Sequence, residues 1–366
     1  AIDSDTNSVI HKKLALASLL RSQGRFDEAR VYNEECLEIS LKLHGTHHPT
    51  SLKAENNLGM LLKVMGRNEE ALPLYESCLA RRREVLGENH EDTLHTMNNL
   101  GILYKAIGRR DEAQELLECC LSSRRDFLGA THPSTLASLN NLANLYKVTG
   151  RVQEAIELYR ECLEERKRSL GTSHPDTLTS MNNLAVALRA LERDEEAVSL
   201  YEACWEIRRE KLGSNHPESL VSMSNLCRVY LSVGRTEVAR ETAENCWALR
   251  IEALGSNHPA TLTSMDIFSG CLQACGEHEK ALDILDKCIQ MRSQRLGEFH
   301  HDTLSSLHNK AMMLKDQDRD DEALAVLSLC LERREEKFGV NHQHTITARA
   351  HMGLQLGKLG RHSEAV

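Results

Sequence analysis

After His90 the apolar positions fall at Leu94, Met97, Gly101 and Tyr104, a spacing of three, four and three that marks one face of a helix. The same pattern returns along the whole chain. Gly45, Gly87, Gly129, Gly171, Gly213, Gly255, Gly297 and Gly339 are each 42 residues apart, and each is followed three residues later by a histidine: His48, His90, His132, His174, His216, His258, His300 and His342. No insertion or deletion breaks this register. Each period predicts two helices. The first runs from the His-Pro step to a Gly-Arg step such as Gly66-Arg67, Gly108-Arg109, Gly150-Arg151 or Gly234-Arg235. Proline in its first turn (Pro49, Pro133, Pro175, Pro217, Pro259) suits a position whose N–H has no partner in any case, and glycine at its end suits a left-handed residue. The second helix opens on an acid (Asp27, Glu69, Asp111, Glu195, Glu237, Glu279, Asp321) and closes on arginines (Arg81 to Arg83, Arg124 and Arg125, Arg208 and Arg209, Arg333 and Arg334), signs that complement the helix dipole.

Self-similarity at this period is the mark of a stacked array. By length alone, 366 residues would divide into two or three globular domains; the unbroken repeat predicts a single solenoid over 1–366 instead. Its expected helix pairs are 7–44, 49–86, 91–128, 133–170, 175–212, 217–254, 259–296 and 301–338, followed by a partial ninth unit, 343–366. The chain begins at Ala1, which predicts a piece processed or excised from a longer one. It stops at Glu364-Ala365-Val366, the start of a second helix, so it is expected to continue or to meet a neighbour there, because solenoid ends need polar caps.

The order of small and bulky residues at Leu100, Gly101, Tyr104, Gly108, Ala113 and Leu117 resembles the tetratricopeptide repeat. Leu128-Gly129-Ala-Thr-His132-Pro133, followed by Asn140-Asn141-Leu142-Ala143-Asn144-Leu145-Tyr146, is similar to the 42-residue repeats of kinesin light chains and their relatives. The resemblance covers essentially the whole chain. It implies an all-α, right-handed superhelical solenoid of stacked antiparallel helix pairs (a TPR array) that binds other proteins and is not an enzyme.

Composition narrows the chemistry. A net charge of −9 argues against a general nucleic-acid binder, and no apolar run approaches the ~20 residues that span a bilayer. Eight of the 12 cysteines (Cys36, Cys78, Cys120, Cys162, Cys204, Cys246, Cys288, Cys330) follow the 42-residue period, where the repeat wants a small buried residue. Stacked helices stand ~8–10 Å apart, beyond disulfide reach. These thiols are therefore expected to pack in the core, with no metal, and free thiols predict a cytoplasmic location. Cys271 and Cys275 lie four apart without a partner of metal-site spacing. The eight joint histidines are expected to cap or pack the turns, since a catalytic histidine would occur once, with its partner. Trp205 and Trp247, also 42 apart, are expected in the core. No hydrolase, P-loop, zinc-protease or dinucleotide motif is present, so no cofactor is expected.

Two rows stand apart from the scaffold. Asn57, Asn99, Asn141, Asn183 and Asn225 are the second residue of each Asn-Asn or Ser-Asn step, and Asn309 recurs later. An amide is both donor and acceptor, so such a ladder can hold the backbone of an extended peptide, as the resemblance implies. Alternatively, both asparagines of the pair, including Asn56, Asn98, Asn140 and Asn182, bond between repeats and hold the stack. Six residues on, Lys63, Lys105, Lys147 and Arg189 form a basic row, with Lys315 later; it either faces a groove and attracts acidic peptides or flanks the helix ends in solvent. The first helices are expected to line the concave face. Leu14-Ala15, Asp266-Ile267 and Ala350-His351 depart from Asn-Asn, which places groove chemistry in copies two to six. Heptads that would recruit a kinesin heavy chain are absent. The expected role is a peptide-binding adapter; the alternative is a sensor or assembly module attached to a nucleotide-binding oligomerisation domain.

Overall fold

The computed structural model describes residues 2–340 and 342–361, with side chains from Ser8 onward; Glu364-Ala365-Val366 lies outside them. The described residues form seventeen α-helices and no strand, and they group into two compact units, Ala1–Leu191 and Glu192–Val366. The first unit contains α1 (Ile2–Ser22), α2 (Phe26–His44), α3 (Pro49–Val64), α4 (Asn68–Leu86), α5 (Glu91–Ala106), α6 (Arg110–Leu128), α7 (Pro133–Val148), α8 (Val152–Leu170) and α9 (Pro175–Arg189). The second contains α10 (Asp194–Leu212), α11 (Pro217–Ser232), α12 (Thr236–Leu254), α13 (Pro259–Ala274), α14 (His278–Leu296), α15 (His301–Asp316), α16 (Asp320–Phe338) and α17 (Gln343–Lys358).

Within each unit a helix packs on its sequence neighbours. In the first unit α1 also meets α3, α3 meets α5 and α5 meets α7, a closeness that no pair of even-numbered helices there reaches. The odd-numbered helices are thus the more closely spaced layer, the side toward which a stack of this kind bends.

The core follows from the helical period. Leu94, Met97, Leu100 and Leu103 of α5 are buried against Ala71, Tyr75 and Leu79 of α4 and Cys120 of α6. Size is matched across the pair: a Cβ on Gly101 would stand 2.7 Å from Leu117 Cγ, and one on Gly59 3.2 Å from the Tyr75 ring. The bulky residue of the second helix therefore requires the small residue of the first. Trp205 and Trp247 are half-buried rather than enclosed, lying against Leu220 and Met223 and against Leu262 and Met265 of the following first helix.

The joints are built from histidines that cap the turns, as the sequence pattern predicts, and from arginines that it reads differently. Each joint histidine is an N-cap whose Nδ1 accepts the backbone N–H two residues on, at 3.1–3.3 Å. The arginines at the ends of the second helices do not simply complement a dipole. Arg82, Arg124, Arg166, Arg208, Arg250, Arg292 and Arg334 are buried. Arg124 Nη1 donates to the Ser134 carbonyl at 2.9 Å and to Ser138 Oγ at 2.7 Å; Arg166 does the same with the Asp176 carbonyl and Ser180 Oγ, both at 2.8 Å. This row bolts each second helix to the first turn of the next repeat. Surface arginines hold the opposite end: Arg67, for example, pairs with Glu70 three residues on.

Candidate peptide-binding face

The two asparagine rows interlock. Asn99 Nδ2 donates to Asn56 Oδ1 at 3.4 Å, Asn141 to Asn98 at 3.0 Å and Asn183 to Asn140 at 2.8 Å. The second asparagine of one repeat thus reaches back 43 residues to the first asparagine of the previous one. These amides hold the stack, and each second asparagine, half-buried, keeps its own carbonyl oxygen and one N–H outside the rung. Asn57 differs: the position 43 residues before it is Leu14, which offers no acceptor, and the two residues line a cavity of about 40 Å³. Asn225 belongs to α11 of the second unit. Further along that unit the rung changes chemistry, with Asn309 Nδ2 donating to the Asp266 carboxylate at 3.2 Å and His351 Nδ1 lying 3.0 Å from His308 Nε2.

Lys63, Lys105 and Lys147 occupy the last turns of α3, α5 and α7 and are half-buried. Burial holds all three below the ordinary lysine range; Lys105 pushes Lys63 the same way, and Lys147 pushes Lys105. Among the described residues none of the three has a carboxylate within salt-bridge distance, whereas Lys13 pairs with Glu35 at 2.6 Å and Lys310 with Asp286 at 2.6 Å. Arg189, the fourth member, lies at the end of α9. The lysines therefore form a row of like charges along adjacent first helices, each close enough to feel the next.

Sequence reasoning missed the residues beside them. Val64 is 51% and Val148 54% exposed, and Ala106 and Ala190 are also exposed. Each follows a basic residue and stands seven after a ladder asparagine, on that asparagine's helical face. The signal was present: valine or alanine at the solvent-facing end of every one of these helices. That both asparagines bond between repeats was one of two readings open in the sequence; the 43-residue pairing itself was not legible there.

The remaining candidate chemistry resolves into structure. The periodic cysteines are buried and free; Cys78 Sγ donates to the Leu52 carbonyl at 3.2 Å and Cys120 to Leu94 at 3.2 Å. Burial raises the Cys78 and Cys288 thiols to about 11, which keeps those two protonated. No group of three metal-ligating side chains occurs among the described residues, and no helix there is long and apolar enough to cross a membrane.

Models of the tetratricopeptide repeat match residues 13–50 and, in overlapping windows, 50–126, 107–164, 134–210, 187–246, 218–294, 268–325 and 302–366. Among solved structures, a protein from Podosopora anserina, assigned as a kinesin light chain with nearly identical TPR-like repeats, is 33% identical; the alignment covers 56% of this chain and 97% of that one, with a TM-score of 0.52. BtubC (BKLC) from P. vanneervenii is 22% identical over 68% of this chain and 94% of its own, with a TM-score of 0.51. The apo form of the quorum sensor NprR from B. thuringiensis is 15% identical over 89% and 87%, with a TM-score of 0.63. At these identities the last two show the fold alone. No curated protein matches the chain.

Proposed function

The chain belongs to the tetratricopeptide repeat family in its kinesin light chain-like form, and on that premise we propose that it is a non-enzymatic adapter that holds an extended, acidic peptide of a partner protein. The binding face is the odd-helix layer of the first unit. Asn57, Asn99, Asn141 and Asn183 meet the peptide backbone there, and Lys63, Lys105, Lys147 and Arg189 meet its carboxylates. Asn225 holds the equivalent position on α11 of the second unit.

The observation that carries this reading is the lysine row. Three half-buried ammonium groups, lowered by burial and, at Lys63 and Lys105, by the next lysine, with no carboxylate in reach among the described residues, cost the free protein stability. A ligand bringing negative charge removes that repulsion, so binding and relief of strain are one event. The asparagines contribute direction rather than charge: a rung fixes the amides of Asn99, Asn141 and Asn183, and a fixed amide presents its remaining donor and acceptor at little entropic cost. Val64, Ala106, Val148 and Ala190 offer apolar contact between the charges.

Fluorescence anisotropy with a labelled acidic peptide tests the reading. The Lys105→Gln/Lys147→Gln variant is expected to lose roughly tenfold or more in affinity, while Lys42→Gln, which removes an exposed lysine already paired with Glu38, leaves affinity unchanged. Equal affinity of all three proteins would exclude the lysine row as the binding face.

A further inference from the structure

The last two first-helices of the second unit are joined in a way found nowhere else among the described residues. His308 of α15 and His351 of α17 stack with ring centroids 4.9 Å apart and an interplanar angle of 17°, and His351 Nδ1 lies 3.0 Å from His308 Nε2. Their positions are those of the first and second asparagine of the amide rungs. Two turns toward the N-termini on the same face, seven residues earlier on both helices, His301 Nε2 lies 3.3 Å from His344 Nε2. Two imidazole pairs thus close one seam between α15 and α17.

An amide rung is indifferent to pH across the physiological range, whereas an imidazole rung is not. A neutral pair shares one N–H···N hydrogen bond. A single added proton preserves it as a charged bond, but two protons leave both nitrogens as donors and place two cations in contact. We propose that the α15–α17 seam is an acid-opened joint: the neutral His308–His351 pair fastens α17 to the array, and its protonation releases it.

The surroundings add to the repulsion. Burial lowers both His308, to about 4, and His344; Arg334 of α16 pushes both the same way, as does the ring partner of each, His351 or His301. The carboxylates nearby are already engaged. Asp266 of α13 accepts from Asn309 and pairs with Arg292 of α14 at 3.3 Å, and Glu335 of α16 pairs with Arg349 at 2.5 Å. Asp302 lies 3.5 Å from His301 Nδ1, so the outer pair keeps one carboxylate and the inner pair has none. The sign follows: a histidine held below its unfolded value binds its proton more readily once released, so the seam's stability is complete above pH ~6.5 and is lost as pH falls toward about 4.

Hydrogen exchange of the α17 backbone amides, corrected for intrinsic rate, tests this at pH 7.5 and 5.5. In the wild type the protection of α17 relative to α13 is expected to fall about tenfold, the ratio of proton binding by a histidine of ordinary value and one near 4 at the lower pH. His308→Asn/His351→Asn installs the amide rung of the earlier repeats and is expected to hold protection within about twofold over the same change. The single variant His351→Asn, with one titrating ring left, is expected to fall between them and serves if the double variant is not folded by circular dichroism. The eight cap histidines and the exposed His301–His344 pair are common to all three proteins and cancel. An equal fall in wild type and variants, or no fall in the wild type, overturns the proposal.

Discussion

At the joint before each first helix, Gly129 has φ 88° and ψ 162° and Gly213 has φ 90° and ψ 159°, a region that only glycine occupies without strain. At the turn inside the repeat Gly150 has φ 85°, and the equivalent positions in two other repeats hold Glu192 at φ 57° and Asp318 at φ 56°. That second conformation is left-handed helical, which other residues reach at a cost of about 1–2 kcal/mol. The sequence records the difference, because glycine fills the joint in all eight copies while the inner turn admits acids. Neither Gly129 nor Gly150 has an atom within 4 Å of where a Cβ would stand, so substitution there reads backbone strain alone. Urea unfolding is expected to show Gly129→Ala destabilised by roughly 2–3 kcal/mol and Gly150→Ala by about 1 kcal/mol. Glu192→Gly is expected to stabilise by about 1 kcal/mol; a loss there would contradict the assignment.

Among the elements, the helices of the described residues follow signals carried by the sequence: periodicity throughout, proline in the first turn of five first helices and glycine at most helix ends. What joins one pair to the next was less legible. An arginine at a helix C-terminus reads naturally as a surface charge on the dipole, and only the packed structure shows Arg124 or Arg166 reaching a carbonyl and a hydroxyl of the next repeat from a buried position. Part of the pattern was on the page, since the first repeat, where Ser40 replaces the arginine, has Ala54 in place of the hydroxyl. Arg124→Met leaves the Ser134 carbonyl and Ser138 hydroxyl without their charged donor and is expected to cost about 2–3 kcal/mol. Hydrogen exchange should show α7 deprotected before α3. A neutral effect would mean that burial of the guanidinium costs as much as its bonds return.

For the whole molecule, the interest lies in how unevenly a regular scaffold is furnished. The first unit carries amide rungs and a lysine row without carboxylate partners among the described residues, while the second replaces the rungs with an aspartate and then with imidazole pairs. The asparagine and lysine rows were both visible in the sequence. Which asparagine bonds to which was not, because a 43-residue step becomes a contact only when successive first helices lie side by side. Nor could the sequence show whether the lysines have partners; their lack of carboxylates depends on where every glutamate of the neighbouring helices turns. One consequence separates function from stability. Lys105→Gln removes repulsion from Lys63 and Lys147, so thermal unfolding of the free protein is expected to rise, by about 0.5 kcal/mol in stability, while acidic-peptide binding weakens. Loss of both together would mark Lys105 as scaffold.

The central claim, that an acidic peptide lies along the lysine row, is tested most directly by lysine acylation of the wild-type protein followed by mass spectrometry, with and without a saturating acidic peptide. Modification of Lys63, Lys105 and Lys147 is expected to fall about tenfold when the peptide is bound, as its carboxylates cover the row and raise the ammonium groups' hold on their protons, while Lys42 on α2 reacts as before. A peptide that binds by anisotropy yet leaves the three lysines as reactive as in the free protein would contradict the account.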